Sequence, residues 1–151
     1  MSEEIEYTDE EKALAAFLEC EPNELELEDF EHYGLNLYSL GSKQYTIGTD
    51  SECDSAAYKS IVDSAWAFNA DFIQQHADIP YEAIEMIQKF QEKCEDANDT
   101  ILALIKKGDG IDKFVSDAIG ADGRGHFLSG YDGEEQEQEC NGTTYYIYRV
   151  N

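Results

Sequence analysis

Apolar residues follow two different periods along this chain, and the change between them limits the fold more than any other feature. Three short runs are rich in β-branched and aromatic residues, as strands are: LNLYSL at 35–40, QYTIGT at 44–49 and TTYYIYRV at 143–150. The GSK between the first two runs indicates a hairpin turn. We therefore expect a small antiparallel sheet of about three strands, in which the C-terminal strand pairs with the hairpin.

The segment between the hairpin and the last strand has the period of helices instead. From Tyr58 to Ile105, apolar residues recur every three or four positions, with Pro80 between two such stretches. This pattern predicts a long antiparallel helical hairpin over 51–107, followed by a shorter helix at IDKFVSDAI. The predicted fold class is therefore α+β, with the helical hairpin and short helices packed on the sheet.

The N-terminal region combines a helix signal with an ambiguous stretch. Thr8 and Glu11 have the spacing of a capping box, which predicts a helix over 9–20. In NELELEDFEHY the alternation of Leu25 and Leu27 favours a strand, but the composition favours a helix, and we predict a second short helix there. The expected single domain, 1–151, then has five parts: an acidic helical region (1–32), a β-hairpin (33–50), a helical hairpin (51–107), a short helix with a glycine-rich acidic loop (108–142) and a C-terminal strand (143–151).

Charge is the most unusual property of the composition. The chain has 34 acidic and 10 basic residues, for a net charge of −24. Residues 1–32 hold 13 acidic residues against Lys12, so half of the net charge lies in the first fifth of the chain. Such a surface repels phosphates, which excludes direct binding to DNA or RNA. The start MSEEIEYTDEE has no basic or apolar signal segment, and we expect a cytoplasmic protein.

The cysteines give no metal or disulfide signature. They are far apart in the chain, with no C-x-x-C pair and no histidine at ligand spacing. We expect free, mostly buried thiols and no metal or cofactor. The four are Cys20, Cys53, Cys94 and Cys140.

The glycine-rich stretch ADGRGHFLSGYDGEEQEQE, at 121–139, has three possible roles. It could be a structural loop in which Arg124 binds local carboxylates, or a loop in which Arg124 and Tyr131 contact a partner. A small enzyme is the third possibility, with His126 as a general base oriented by Asp122 or Asp132. A phosphate-binding loop is not supported, because a helix precedes the glycines and no Gly-Lys-Ser/Thr sequence follows them.

The aromatic residues also have two explanations. Trp66 lies at helical spacing with Phe68 and Phe72, which predicts a core position. The tyrosines of the predicted strands fit a half-buried sheet face, but they would also suit an interface, so an accessory protein that forms a homodimer through its tyrosine-rich sheet is a further alternative. These tyrosines are Tyr33, Tyr38, Tyr45, Tyr145, Tyr146 and Tyr148.

The number of acidic residues exceeds what solubility requires. The lysine content of the chain and the clustering of acidic residues in 1–32 argue against salt adaptation. A duplex carries one charge per ~1.7 Å, so 24 charges correspond to roughly 40 Å of DNA, about the width of a compact chain of this length. The acid therefore predicts a protein that imitates the charge of nucleic acid. The residues expected to contact the partner are Glu19, Glu21, Glu24, Glu26, Glu28, Asp29, Glu31, Arg124, Tyr131, Glu134 and Glu135.

Three stretches, ALAAFLECEP, DSAWAFNADF and ADGRGHFLSGYDGEE, resemble segments of small acidic proteins of tailed bacteriophages that have no assigned activity. The resemblance implies no site residue, but it favours a role in counter-defence, because phages use acidic decoys against host enzymes. The predicted function is a non-enzymatic phage inhibitor. Its predicted partner is a basic host protein, namely a nucleic-acid enzyme or defence complex.

Overall fold

The computed structural model describes residues 6–151 as an α+β protein, which confirms the predicted class. In those residues one antiparallel sheet accompanies seven α-helices. The strands are β1 (Glu26–His32), β2 (Leu35–Leu40), β3 (Lys43–Thr49), β4 (Gln136–Cys140) and β5 (Thr143–Arg149). The helices are α1 (Asp9–Leu18), α2 (Asp50–Asp63), α3 (Ala70–His76), α4 (Ile84–Gln91), α5 (Asn98–Lys107), α6 (Ile111–Asp122) and α7 (Arg124–Leu128).

The chain divides into two compact units with different contents. The sheet unit comprises the chain up to Ala57 together with Arg124–Asn151, and the helical unit comprises Tyr58–Gly123. The sheet unit has 21 acidic against 4 basic residues, or −17, and the helical unit has 13 against 6, or −7. The predicted single domain stays a prediction, since compactness alone does not show whether the units fold separately.

The sheet has the strand order β1-β2-β3-β5-β4, with every neighbouring pair antiparallel. The predicted hairpin is β2 and β3, and the C-terminal strand β5 pairs with β3 as expected. The predicted strand number is wrong, because β1 and β4 add two edge strands. Both are highly charged, and an edge strand needs only one partner and little apolar surface, so pairing outweighs composition there. The predicted second short helix in NELELEDFEHY is therefore wrong, and that stretch forms β1.

Helix α1 covers one face of the sheet and forms the core of the sheet unit. Its capping box is present: the Thr8 hydroxyl accepts from the Glu11 N–H at 3.1 Å, and Glu11 Oε1 accepts from the Thr8 N–H at 3.0 Å. The predicted first helix is confirmed by these bonds. Four of the six strand tyrosines are buried in the sheet unit, so they pack its interior. The cluster under α1 contains Ala13, Leu14, Tyr38, Tyr45, Ile47, Tyr145 and Ile147.

The predicted long helical hairpin is wrong, because the helical period is interrupted by short 3₁₀ turns at Ala65–Ala67, Tyr81–Ala83 and Cys94–Ala97. One interruption has an identifiable cause. Asn98 Oδ1 accepts from the Trp66 N–H at 3.0 Å, and its Nδ2 donates to the Val62 carbonyl at 2.9 Å. This amide satisfies backbone groups that a continuous helix would pair internally. Trp66, predicted in the core, is only half-buried.

The interior of the helical unit is organised around His76, which is buried on α3. Its Nδ1 donates to the Phe72 carbonyl at 2.9 Å, and its Nε2 lies 2.8 Å from Asp117 Oδ2. The rings of Phe72 and Phe114 pack against the imidazole, with centroids 4.5 and 5.4 Å away. Gly108 follows α5 where the chain touches this helix, and a Cβ there would lie 2.2 Å from the His76 carbonyl oxygen.

Two smaller expectations need correction. Part of the predicted glycine-rich loop is helical, because α7 begins at Arg124, and β4 follows at its end. All four cysteines are free, as expected, but Cys53 alone is buried, whereas Cys94 is exposed. None of the helices in residues 6–151 has the length and apolar character to span a membrane.

Candidate partner-binding surface

Strand β1 is paired on one side only within residues 6–151, so its outer edge is free. Its pairing with β2 is also irregular. Leu27 lies opposite Tyr38 and Glu31 lies opposite Asn36, so three β1 residues face a single β2 residue between those pairs. A bulge of this kind twists an edge away from regular pairing and redirects its side chains. The irregular edge is therefore suited to side-chain contacts rather than to the addition of another strand.

The carboxylates of β1 differ in how much they are used inside the sheet unit. Glu26, Asp29 and Glu31 are exposed, and within residues 6–151 their side chains have neither an ion pair nor a hydrogen bond. Glu28 instead accepts from the Ser39 hydroxyl. Just before β1, Glu24 Oε2 accepts from the Glu21 N–H at 2.8 Å. Three of the predicted contact residues thus remain available on β1 itself.

Two large apolar side chains accompany these carboxylates. Leu27 is 59% exposed and Phe30 is 60% exposed, although they belong to a strand. Charges alone suffice to keep a free edge from associating with other strands. Exposed aromatic residues are instead enriched at interfaces with other proteins. The combination distinguishes β1 from the other edge strand, β4, whose exposed residues are polar or acidic.

Within residues 6–151, no ion pair offsets the carboxylates of β1. His32 is half-buried, and its Nε2 lies 3.2 Å from the Leu128 carbonyl oxygen. Burial lowers the pKa of His32, with the Leu128 carbonyl acting in the opposite direction. The imidazole is therefore neutral at pH 7. Glu19, another predicted contact, caps the C-terminal end of α1, where a negative charge opposes the helix dipole.

Arg124 has a structural position inside the sheet unit. Its side chain is 10% exposed, and Nη1 lies 2.8 Å from Asp50 Oδ1 and 3.0 Å from Asp54 Oδ1. Its Nε donates to Glu135 Oε1 at 2.8 Å, and the guanidinium lies over the Tyr146 ring, 4.6 Å from the centroid. The contact with Glu135 matches the local structural role that the sequence offered for Arg124, whereas Asp50 and Asp54 are distant in the chain. Together these contacts leave little of the guanidinium for a partner.

Glu135 is held in the same network. Its Oε1 also accepts from the Tyr148 hydroxyl, and burial with this bond raises the pKa of Tyr148 strongly. Cys53 lies beside Tyr148, and burial raises the pKa of its thiol to about 11. A thiol with that pKa is protonated at pH 7 and is a poor nucleophile. The network therefore has the character of a buried structural centre.

The remaining predicted contacts lie near the end of α7. Tyr131 is 58% exposed, and the Arg149 guanidinium lies over its ring at 3.5 Å from the centroid. Glu134 is exposed, and its N–H donates to Asp132 Oδ1 at 3.0 Å. Among the eleven predicted residues, the side chains of Arg124, Glu135, Glu28 and Glu24 are therefore engaged within the sheet unit, although Glu24 is exposed.

The alternative site at His126 is only partly assembled. His126 is exposed on α7, and its ring packs edge-on against Phe127 with centroids 4.9 Å apart. Asp132 accepts from the Ser129 hydroxyl at 2.8 Å and caps its own turn, and its pKa is lowered chiefly by the Glu134 N–H and by Ser129. Within residues 6–151 Asp132 makes no hydrogen bond to His126. The same residues contain no group of three or more His, Cys, Asp or Glu side chains able to hold a metal ion.

No protein-family model matches the chain, and neither a curated protein nor a solved structure matches it.

Sequence reasoning missed Leu27 and Phe30 as surface residues. The signal was present, because the alternation ELELE is that of a strand with one acidic face, and an acidic strand belongs at a sheet edge. The bulge had no signal in the sequence, since it depends on how β1 meets β2.

Proposed function

We propose that this chain is a non-enzymatic binding protein whose sheet unit occupies the basic, nucleic-acid-binding surface of another protein. The observation that carries the proposal is β1, which in the described residues 6–151 is an edge strand with one partner. On it, the unpaired carboxylates of Glu26, Asp29 and Glu31 lie beside exposed Leu27 and Phe30. The resemblance to tailed-phage proteins belongs to the same proposal, and makes the partner a host defence complex or nucleic-acid enzyme. The protein would inhibit that partner by imitating the charge of nucleic acid.

The amount of charge fits this role. A duplex carries one charge per ~1.7 Å of its axis, so the −17 of the sheet unit corresponds to roughly 30 Å of duplex. A strand of seven residues such as β1 is about 23 Å long, which is comparable to that length. Complementary charge over such a distance accelerates association with a basic cleft. The same charge repels free DNA and RNA, so the partner is a protein.

The acid also has a cost to folding, which argues for a function. Glu19 at the C-terminal end of α1 opposes the helix dipole, and α1 has no basic residue in its last turn. A charge in that position costs about 0.3–1 kcal/mol. Solubility alone does not require acid at an unfavourable position, since many exposed positions are neutral to folding.

The proposal is tested by reversing three charges on β1 and comparing the effect with the same reversal in the helical unit. The triple variant Glu26→Lys, Asp29→Lys and Glu31→Lys reverses β1, while Glu24 and Glu28 are left intact because they form hydrogen bonds. The control reverses Glu82, Glu85 and Glu92, which are exposed in the helical unit, and changes the net charge equally. A partner is first captured from bacterial lysate, eluted with a salt gradient and identified by mass spectrometry. Association is then measured against the purified partner, with DNA as competitor.

We expect the β1 triple variant to associate at least about tenfold more slowly and with a weaker salt dependence. The control variant should keep most of the association rate, and the wild-type protein should compete with DNA for the partner. Equal losses in the two variants would show that only net charge matters. Salt-insensitive binding, or binding that DNA does not affect, would contradict nucleic-acid mimicry.

A further inference from the structure

An open cavity of about 540 Å³ lies in the helical unit, next to the only tryptophan of the chain. This volume is within the ~300–1,000 Å³ typical of small-molecule sites. Its lining has two aromatic side chains, three side-chain amides, one carboxylate and no basic residue. The residues that matter for binding are Trp66, Phe68, Asn69, Asp71, Gln88 and Gln91.

Amide side chains hold the backbone that carries the aromatic residues of this cavity. Gln91 Nε2 donates to the carbonyl oxygens of Trp66 at 2.9 Å and of Phe68 at 2.5 Å. Asn98 binds the Trp66 N–H from the other side at 3.0 Å. A wall that is ordered before the ligand arrives loses little conformational entropy on binding.

Two of the amides have orientations that their hydrogen bonds determine. Both hydrogens of Gln91 Nε2 are used by carbonyl oxygens, which leaves Oε1 as an acceptor. Asn69 Oδ1 accepts from the Asp71 N–H at 2.9 Å, which leaves Nδ2 as a donor. Among the residues that line the cavity, Gln91 therefore keeps an acceptor and Asn69 keeps a donor, next to two aromatic residues.

We propose that this cavity binds adenosine. The adenine edge has the N6 amino donor beside a ring-nitrogen acceptor, which complements Gln91 Oε1 and Asn69 Nδ2. The planar base stacks on Trp66, as bases do on aromatic side chains in single-strand-binding proteins, and Phe68 packs on Phe72 and Phe114 behind this site. Asp71 accepts from the ribose hydroxyls, a role that carboxylates have in dinucleotide sites. A phosphate is disfavoured, because the lining has Asp71 and no cation. This site is separate from the proposed partner-binding surface and does not depend on that function.

Trp66 provides a direct readout, because it is the only tryptophan and it lines the cavity. Adenosine is titrated against the full chain up to millimolar concentration, with Trp66 emission and calorimetry as readouts. We expect a saturable change in both. Inosine, in which a carbonyl replaces the N6 amino group, should bind at least about fivefold more weakly. AMP should also bind more weakly than adenosine.

A matched pair of variants tests the donor. Asn69→Asp keeps an acceptor for the helix cap and removes the Nδ2 donor, and Gln75→Glu adds the same charge on the same helix outside the lining. We expect adenosine affinity to fall at least about fivefold in the first variant and to be unchanged in the second. Absence of saturable binding by the wild-type protein, equal binding of inosine or AMP, or equal effects of the two variants would overturn the proposal.

Discussion

The sheet unit and the helical unit differ in their density of net negative charge. The sheet unit has a net charge of −17 over 85 residues and the helical unit −7 over 66, so the charge density differs about twofold. Six of the eight lysines lie in the helical unit. A chain under pressure only for solubility would need no such difference. The contrast shows that the excess acid is concentrated in the sheet unit, although both units are acidic.

Each unit has one buried polar side chain with several bonded partners, here called its buried centre, and the two centres differ in chemistry. The sheet unit uses Arg124, whose planar guanidinium binds three carboxylates and stacks on an aromatic ring. The helical unit uses His76, which bonds a carbonyl oxygen and Asp117. An arginine stays charged at any ordinary pH, whereas the carboxylate that binds His76, Asp117, has a lowered pKa that makes its contribution depend on pH. The two centres should therefore respond differently to mutation and to acid.

The largest loss in the free energy of unfolding is expected from Arg124→Ala. This change leaves Glu135 without its cation beside buried Tyr148 and removes the bonds to Asp50 and Asp54. Removing one partner of a buried ion pair costs 3–5 kcal/mol, and because Asp50 and Asp54 are exposed we expect about 3 kcal/mol. Urea unfolding followed by circular dichroism measures the loss. Trp66 emission, which reports on the helical unit, shows in the same experiment whether both units lose stability together.

The control for this experiment is the chain's other arginine. Arg149 contacts the exposed ring of Tyr131, and Arg149→Ala should cost no more than about 1 kcal/mol. If Arg124→Ala costs as little as this, the network around Arg124 is not a structural centre. Coincident shifts of the dichroism and Trp66 transitions would support the predicted single domain, and separate shifts would contradict it.

Part of this comparison could be read from the sequence. The capping box at Thr8 and Glu11 and the strand TTYYIYRV depend on residues close together in the chain, and both were predicted correctly. Strand β4 could not be found in the same way, because QEQEC has no apolar period and is a strand only through pairing with β5. The ligands of Arg124 were also beyond sequence reasoning, since Asp50 and Asp54 lie 74 and 70 positions away.

A loss of stability of intermediate size is expected from substituting either of two glycines, one in each unit. A Cβ at Gly125 would lie 2.5 Å from the Gly133 carbonyl oxygen, and a Cβ at Gly108 would lie 2.2 Å from the His76 carbonyl oxygen. Both contacts are with backbone, which cannot move aside as a side chain can. We expect each glycine-to-alanine change to cost about 1–3 kcal/mol through overpacking, as measured by urea unfolding.

Gly120 in α6 is the control, because a Cβ there has no heavy atom within 4 Å. Gly120→Ala should stabilise the protein by about 0.5–1 kcal/mol, since alanine has the higher helix propensity. Gly125→Ala should act first on the dichroism of the sheet unit, and Gly108→Ala on Trp66 emission. A stabilising effect at Gly125 or Gly108 would contradict the close backbone packing found there.

The smallest change in stability is expected from replacing Asp117, and this change depends on pH. The pKa of Asp117 is lowered by hydrogen bonds from Lys113 and from His76, in that order. A lowered pKa in the folded state means that the ionised carboxylate stabilises the fold above its ordinary pKa of about 3.9. That stabilisation is lost as the pH falls through the folded-state pKa. Wild type should therefore be more stable than Asp117→Asn near pH 7, and the difference should vanish at lower pH.

The origin of the Asp117 effect can be separated by removing its exposed partner. Lys113→Ala deletes the bond at 2.9 Å but keeps the one from buried His76, so the pH dependence should weaken without disappearing. In Arg124→Ala the same pH dependence should persist in full, because the carboxylates of the sheet unit are not bound to His76. Thermal unfolding of all four proteins across the acid range measures this. A pH dependence that survives Asp117→Asn unchanged would assign acid sensitivity to other carboxylates, and would remove the difference between the two buried centres.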